Sequence, residues 1–172
     1  AAKMKYGQRW VTASGFAPMG YGLPGAIGAA FATGNRVICI TGDGSLHFNV
    51  QELATIRHHN LPITIFVLNN DGYLAIKHTQ ANHFGRKVGS DSESGLACPD
   101  TCTVAEAYGI SSWRLRAELG GLDTILSMDG PFLCEIMMPP NQALVPRVAS
   151  KKLPDGSIRS TPIEDMYPFL PR

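Results

Sequence analysis

Two short apolar runs, each ending in a cluster of small and polar residues, constrain the fold of this chain more than any other feature. The first run, at 37–40, leads into the sequence GDGS at 42–45, and the second, at 63–68, leads into NNDG at 69–72. A segment with helical character separates them. Short apolar strands joined by a helix are typical of a βαβ unit with parallel strands. Ligands of such sheets bind beyond the carboxyl ends of the strands, so both clusters are expected at a binding site.

The side chains of the two clusters indicate what such a site binds. Asp43 offers a carboxylate and Asn70 an amide oxygen, which suit Mg²⁺ or Ca²⁺, and Mg²⁺ usually completes its shell with phosphate and water. Gly42 and Gly44 let the backbone approach a phosphate, and Ser45 can donate a hydrogen bond. Either cluster alone is typical of a simple turn. Since Asn70 follows Asp43 by 27 positions and each cluster closes a strand, together they predict a divalent cation holding a diphosphate.

The paired clusters resemble the signature of thiamine-diphosphate-dependent enzymes, in which GDG precedes NN by some two dozen residues. The similarity is greatest to the acetolactate (acetohydroxyacid) synthase-like branch, and it extends through GFAPMGYGLPGAIG at 15–28 and the tail at 146–170. The resemblance implies an α/β fold, a three-layer sandwich with a mainly parallel central sheet. It places the diphosphate- and metal-binding domain at 1–138 and an extended C-terminal arm of the same domain at 139–172.

The resemblance also implies cofactors and site residues. The cofactors are thiamine diphosphate and Mg²⁺, and the metal ligands are Asp43, Asn70 and the backbone carbonyl of Gly72, with Asp71 excluded. Met19 stands where the family has a large apolar residue that bends the cofactor into a V shape. The implied cofactor-binding residues are Met19, Gly42, Asp43, Gly44, Ser45, Asn70, Gly72 and Tyr73.

The implied activity is decarboxylation or carboligation of a 2-keto acid, with the cofactor as electron sink. The family's catalytic glutamate comes from a pyrimidine-binding domain, usually of another subunit, and no glutamate of this chain stands in a matching context. We therefore expect no catalytic residue here, a homo-oligomer, and no activity of the chain alone. Acetolactate synthases carry Gln-Trp where this chain has His78 and Thr79, so acetolactate formation is not implied. His78 and His83 flank a long loop and are further candidates for substrate contact.

Two other functions remain open at this stage. The chain could be the small subunit of a split 2-keto acid decarboxylase whose partner supplies the glutamate. It could also be a non-catalytic nucleotide-binding module, although that would favour GxGxxG after the first strand. The sequence from Gly42 to His47 lacks the last glycine of that pattern.

Composition excludes several classes of partner. A net charge of +1 gives no reason to expect binding to nucleic acid or to a membrane surface. No apolar run approaches the roughly 20 residues that span a bilayer. The four cysteines match no zinc pattern, and Cys39 and Cys134 lie in apolar runs, so we expect reduced thiols and a cytoplasmic protein.

The remaining pattern predicts the other elements. The family's complete domains carry a strand and a helix before this point, so the chain is expected to be a fragment. Asn49 and Thr103 are the predicted caps of two helices. The loop 81–101 and the Pro-rich tail beyond Pro139 are expected to be ordered only against a partner. Strands are predicted at 37–41, 63–68, 111–115 and 132–137, and helices at 20–33, 49–59, 73–79, 103–108 and 119–128.

Overall fold

The structure, a computed structural model, describes residues 3–116, 119–143 and 145–169. It contains two compact units, the first ending at Pro140 and the second beginning at Asn141. The helices are α1 (Gly22–Thr33), α2 (Asp43–Leu46), α3 (Glu52–His58), α4 (Leu74–Phe84), α5 (Thr101–Ala107) and α6 (Leu122–Ser127). The strands are β1 (Val37–Gly42), β2 (Ile63–Asn69), β3 (Ser111–Leu115), β4 (Phe132–Met137), β5 (Ser150–Lys152) and β6 (Ile158–Ser160).

The first four strands form one parallel sheet in the order β1-β2-β4-β3. Successive side chains of a strand point to opposite faces of the sheet. Accordingly Ile65 of β2 belongs to an apolar cluster with α1, α3 and α5, while its neighbour Phe66 packs in a second cluster with Ile125 of α6. The sheet therefore has helices on both faces, and the predicted α/β sandwich with a mainly parallel sheet is confirmed.

Strand β1 lies at the edge of the sheet and is covered on one face. Cys39 and Thr41 point towards α1, where Gly22 leaves room for both side chains. On the other face Ile38 and Ile40 are 51% and 54% exposed. The packing of one face of β1 thus holds the strand, whose end places Gly42 and Asp43 at the end of the sheet.

Both predicted helix caps are wrong. At Asn49 a hydrogen bond to a distant residue competes with capping, and at α5 an earlier residue is the cap. The amide of Asn49 donates to the carbonyl of Gly20 at 2.9 Å, so Asn49 does not cap α3, which begins after Gln51. Asp100 caps α5 instead of Thr103, because its carboxylate accepts the Thr103 N–H at 2.8 Å.

The loop and the tail are more regular than the sequence pattern predicts. Helix α4 continues to Phe84, and the polar loop after it buries Ser90 and Asp91. That the loop and the tail are ordered only against a partner stays a prediction. In the tail, β5 and β6 form an antiparallel pair despite the prolines, because the prolines fall outside the paired residues.

Candidate functional site

The two polar clusters meet at the carboxyl ends of β1 and β2. Gly42, the last residue of β1, pairs with Leu68 of β2, so the residues that follow both strands lie side by side. Asp43 is 2% exposed, and its Oδ2 accepts the backbone N–H of Gly72 at 2.7 Å. The predicted proximity of the GDGS and NNDG clusters is therefore present in the structure.

Asn70 provides a second buried oxygen at this point. Its Oδ1 is shielded from solvent and has no hydrogen-bond partner in the described part of the chain. A buried acceptor without a partner costs free energy unless a ligand uses it. Because a carboxylate, an amide oxygen and a nearby carbonyl are the donors that Mg²⁺ takes, Asp43, Asn70 and Gly72 fit a hard cation.

The buried position of Asp43 disfavours its negative charge, and a bound cation would compensate for that cost. Burial raises its pKa, while the N–H groups of Gly72 and Gly44 and the ammonium of Lys77 lower it to a smaller extent. Within residues 3–116, 119–143 and 145–169, no group of three or more His, Cys, Asp or Glu side chains could hold a metal. A cation at this edge of the sheet would thus depend on mixed side-chain and backbone oxygens.

Two glycines leave space that other parts of the site use. A Cβ on Gly44 would lie 2.3 Å from the ring of Tyr73, so the ring packs directly on the GDGS backbone. Gly72 has φ +104° and a Cβ there would lie 2.5 Å from the carbonyl oxygen of Ser90. Both positions require glycine for space, and Gly72 requires it for conformation as well.

Ser45 connects the GDGS cluster to the loop before α1. Its Oγ accepts the N–H of Gly20 at 2.9 Å, and Asn49 binds the Gly20 carbonyl. Gly20 is buried between these two side chains, while Met19 beside it is 42% exposed. Met19 thus precedes a residue whose backbone is held by Ser45 and Asn49, and its own side chain is accessible.

Lys77 is a site residue that the sequence analysis missed. It is 2% exposed, and its ammonium donates to the backbone carbonyls of Asn70, Asp71 and Pro140 at 2.8, 3.1 and 2.9 Å. A lysine on the face of α4 that follows an NNDG turn is a signal for it, but only the structure shows that the side chain folds back onto the turn.

Asn69 and Glu135 form a second support that sequence reasoning did not identify. Asn69 Oδ1 accepts the N–H of Asp71 at 3.0 Å, and its amide donates to Glu135 Oε1 at 2.7 Å. Glu135 is 1% exposed and pairs with Arg114, which also binds Asp100. A glutamate inside the apolar run of β4 is the signal that could have found it. These side chains line a cavity of about 290 Å³ that reaches Asp43.

The loop after α4 closes the other side of the turn. Tyr73 N–H donates to the Ser90 carbonyl at 2.8 Å, and the carboxylate of Asp71 accepts the Ser92 hydroxyl at 2.7 Å. Asp71 is therefore engaged with the loop, and its exclusion as a metal ligand stays a prediction. Asp91 caps the short 3-10 helix Ser92–Ser94 and binds Lys87.

Two of the histidines have different surroundings. His83 lies on the exposed end of α4 beside Phe84, and its role in substrate contact stays a prediction. Nε2 of His47, however, is shielded and lacks a hydrogen-bond partner among the described residues. Burial lowers the pKa of His47, with a smaller opposing effect of Asp43.

None of the helices in the described ranges is long and apolar enough to cross a membrane.

Comparison with known proteins identifies the arrangement. Residues 1–136 match the family model described as thiamine pyrophosphate enzyme, C-terminal TPP binding domain. The chain is 34% identical over 148 residues to an acetolactate synthase large subunit of Cyanidium caldarium, covering 84% of this chain and 25% of that protein. It is 34% identical over 157 residues to chloroplastic acetolactate synthase 2 of Nicotiana tabacum, covering 86% and 24%.

A solved structure is also similar. The thiamine diphosphate-dependent 4-hydroxybenzoylformate decarboxylase of Rhodococcus jostii RHA1 aligns with a TM-score of 0.62 and 29% identity, over 70% of this chain and 23% of that one. The chain thus spans about a quarter of the length of the curated relatives it matches.

Proposed function

Because the chain belongs to the thiamine pyrophosphate enzymes, through their C-terminal TPP binding domain and with similarity to acetolactate synthases, we propose that the Asp43–Asn70 site holds Mg²⁺ and the diphosphate of the cofactor. Thiamine diphosphate and Mg²⁺ are the cofactors of this family, so the cofactor prediction is confirmed at the level of the family. Which residues of this chain hold them is our proposal. The observation that carries it is the buried, unpartnered amide oxygen of Asn70, two residues before the Gly72 N–H that the buried Asp43 accepts.

Each site residue has a role in this proposal. The carboxylate of Asp43, Oδ1 of Asn70 and the carbonyl of Gly72 bind the cation. Backbone N–H groups after Gly42 and the hydroxyl of Ser45 bind the diphosphate. The cofactor supplies an electron sink for decarboxylation when it is bound.

Two further residues complete the proposed cofactor site. Tyr73, whose ring packs on Gly44, covers the diphosphate end of the site. Met19 supports the cofactor at the rim, where its exposed side chain is free to contact the rings.

The whole protein is proposed to act on a 2-keto acid, by decarboxylation, carboligation or both. A pyrimidine-binding domain or subunit supplies the catalytic glutamate, and a homo-oligomer brings it to this site. Thr79, whose hydroxyl binds the Ala75 carbonyl at 3.0 Å, is small and exposed. In the synthases that this chain resembles, a tryptophan at this position shapes the acceptor pocket, and Thr79 fills less space, which favours decarboxylation or a bulkier acceptor over acetolactate formation.

The family of the chain bears differently on the two alternative functions. Membership of an enzyme family disfavours the non-catalytic nucleotide-binding module. A split decarboxylase stays compatible with a chain that covers a quarter of its relatives' length. The cytoplasmic location also remains a proposal, since the relatives include chloroplastic synthases of maize and tobacco.

Calorimetric titration tests the proposed site. The chain should bind thiamine diphosphate only when Mg²⁺ is present. Asp43→Ala and Asn70→Ala should each abolish this binding, because each removes a ligand oxygen. Asp123→Ala, an exposed carboxylate of α6, is the matched control and should bind as the unaltered chain does. Unchanged affinity in Asp43→Ala would refute the proposal, and binding of a nucleotide in place of thiamine diphosphate would favour the nucleotide-binding module.

A further inference from the structure

A lysine whose ammonium is fully enclosed by backbone carbonyls is unusual. Lysines are almost never buried unless they are paired, yet Lys77 is 2% exposed and forms no ion pair with any residue that the structure describes. All three of its donor positions point to carbonyl oxygens, those of Asn70, Asp71 and Pro140. Two of the three belong to the turn that carries the proposed cation ligands.

We propose that Lys77 is the positioning residue of the cation site, which fixes the turn from Asn70 to Gly72 before a cation binds. This inference rests on the proposed function, since it assigns a purpose to the turn. Lys77 contacts neither cation nor cofactor in this proposal. It acts by holding two carbonyls of the turn against α4.

The conformation of the turn explains why a clamp is needed. Asp71 has φ +61° and Gly72 has φ +104°, so two successive residues occupy the left-handed region. A residue with a side chain is held there only when the surroundings over-determine it. Lys77 fixes the carbonyls of Asn70 and Asp71. The turn then directs the Gly72 N–H to Oδ2 of Asp43, at 2.7 Å. Asn70 Oδ1 stays buried and has no hydrogen-bond partner among the described residues.

The clamp also joins the turn to the end of the sheet. Lys77 binds Pro140, and the nearby Met138 N–H donates to the Asn69 carbonyl at 2.7 Å. The segment after β4 therefore meets the turn at two points.

The test replaces Lys77 by methionine, which keeps the length of the side chain and removes the charge and the donors. Lys5→Met, at an exposed position, is the control. In the chain without ligands, amide hydrogen exchange at Gly72 should become at least about tenfold faster while Val67 in β2 stays protected. Outer residues that orient metal ligands typically change affinity by about 10–100-fold. We expect that loss for Mg²⁺ at a fixed concentration of thiamine diphosphate.

A comparison of cations separates positioning from general destabilisation. Mg²⁺ demands a near-ideal octahedron, whereas Ca²⁺ tolerates irregular sites. The Lys77→Met variant should therefore lose more affinity for Mg²⁺ than for Ca²⁺. If the methionine variant does not fold, Lys77→Arg keeps the charge, and its rigid fork should produce the same changes on a smaller scale.

The outcomes distinguish this inference from the proposed function. A folded Lys77→Met variant with unchanged exchange at Gly72 and unchanged Mg²⁺ affinity overturns the role of Lys77. If the unaltered chain binds no thiamine diphosphate with Mg²⁺, the proposed function fails. The exchange rate at Gly72 still decides in that case whether Lys77 fixes the turn.

Discussion

At the scale of single residues, the site consists of buried polar groups that are less than fully satisfied. Asp43 is the clearest case, because burial raises its pKa although the Gly72 N–H binds it. Asn70 adds a buried oxygen that has no partner in the described ranges. Groups of this kind lower the stability of a fold and are typical of functional sites. The sequence pattern predicted their identity but not their burial, which depends on packing around both strand ends.

The first prediction concerns the charge of Asp43. An acid whose folded-state pKa is raised contributes stability that is fully present below its unfolded pKa and lost as the pH rises through the folded pKa. Asp43→Asn should remove that loss while its amide oxygen still accepts the Gly72 N–H. We expect the ligand-free variant to melt a few degrees higher at pH 7, where roughly 1 kcal/mol shifts the midpoint by several degrees.

The same variant should bind no Mg²⁺, and its advantage in melting temperature should disappear near pH 3. Thermal melts at both pH values and a Mg²⁺ titration measure these effects. A ligand-free variant that melts below the unaltered chain at pH 7 would contradict the expected cost of the buried charge.

The second prediction compares two glycines with positive φ. Gly72→Ala brings a Cβ to 2.5 Å from the Ser90 carbonyl, whereas around a Cβ on Gly85, at φ +64°, no atom of the described residues lies within 4 Å. Strain of a non-glycine residue in this region costs about 1–2 kcal/mol. Overpacking adds about 1–3 kcal/mol. Gly72→Ala should therefore lose more stability than Gly85→Ala in urea denaturation, and equal losses would show that the Ser90 segment yields freely.

At the scale of elements, the ends of strands and the loops that cover them determine the site. Hydrophobic periodicity predicts β1, β2 and β4 because their apolar runs are short and uninterrupted. It does not predict that Ser90 and Asp91 are buried, since their burial depends on hydrogen bonds to residues distant in sequence. The misplaced caps at Asn49 and Thr103 have the same cause, because a tertiary or neighbouring partner competes with the local one.

The third prediction concerns the pH dependence of the segment 87–94. The Lys87 ammonium and then the Ser94 side chain lower the pKa of Asp91 from 3.8 to about 2. A lowered acid pKa contributes stability that is present above the unfolded value and lost as the pH falls through the folded one. The segment should therefore loosen between about pH 4 and 2. Amide exchange measures this as a loss of protection at Ser94.

Asp91→Asn should produce the same loosening at pH 7, because the amide keeps an acceptor but loses the attraction of Lys87. Asp155→Asn, at an exposed turn of the second unit, is the control. If Ser94 stays protected in Asp91→Asn, the backbone alone holds this segment.

At the scale of the whole molecule, the parallel sheet of the first unit brings ligands together from distant parts of the sequence. The fold class could be predicted because strands and helices alternate, and a parallel sheet needs crossovers. The roles of Met19 and Tyr73 came from resemblance alone. Glu135 and Lys77 could not be predicted, because a single charged residue in an apolar pattern does not reveal which backbone groups enclose it.

The fourth prediction is that the chain binds its cofactor but has no turnover of pyruvate by itself. None of its glutamates matches the family's catalytic one, and the chain covers about a quarter of its relatives' length. Addition of a partner chain with a pyrimidine-binding domain should restore decarboxylation, measured as CO₂ release. The Asp43→Ala variant of this chain, mixed with the same partner, should show no CO₂ release. Turnover by the purified chain alone would show that the glutamate is dispensable or present here.

The amide oxygen of Asn70, which has no hydrogen-bond partner within the described ranges, has a thermodynamic consequence. Its dehydration belongs to the folding reaction and not to the binding reaction. A cation that enters a turn already held by Lys77 orders no segment and removes little apolar surface from water, so the heat capacity of binding should be close to zero. Release of water from the hydrated cation then supplies the driving force. Mg²⁺ binding should therefore absorb heat and be favoured by entropy at every temperature at which the chain is folded.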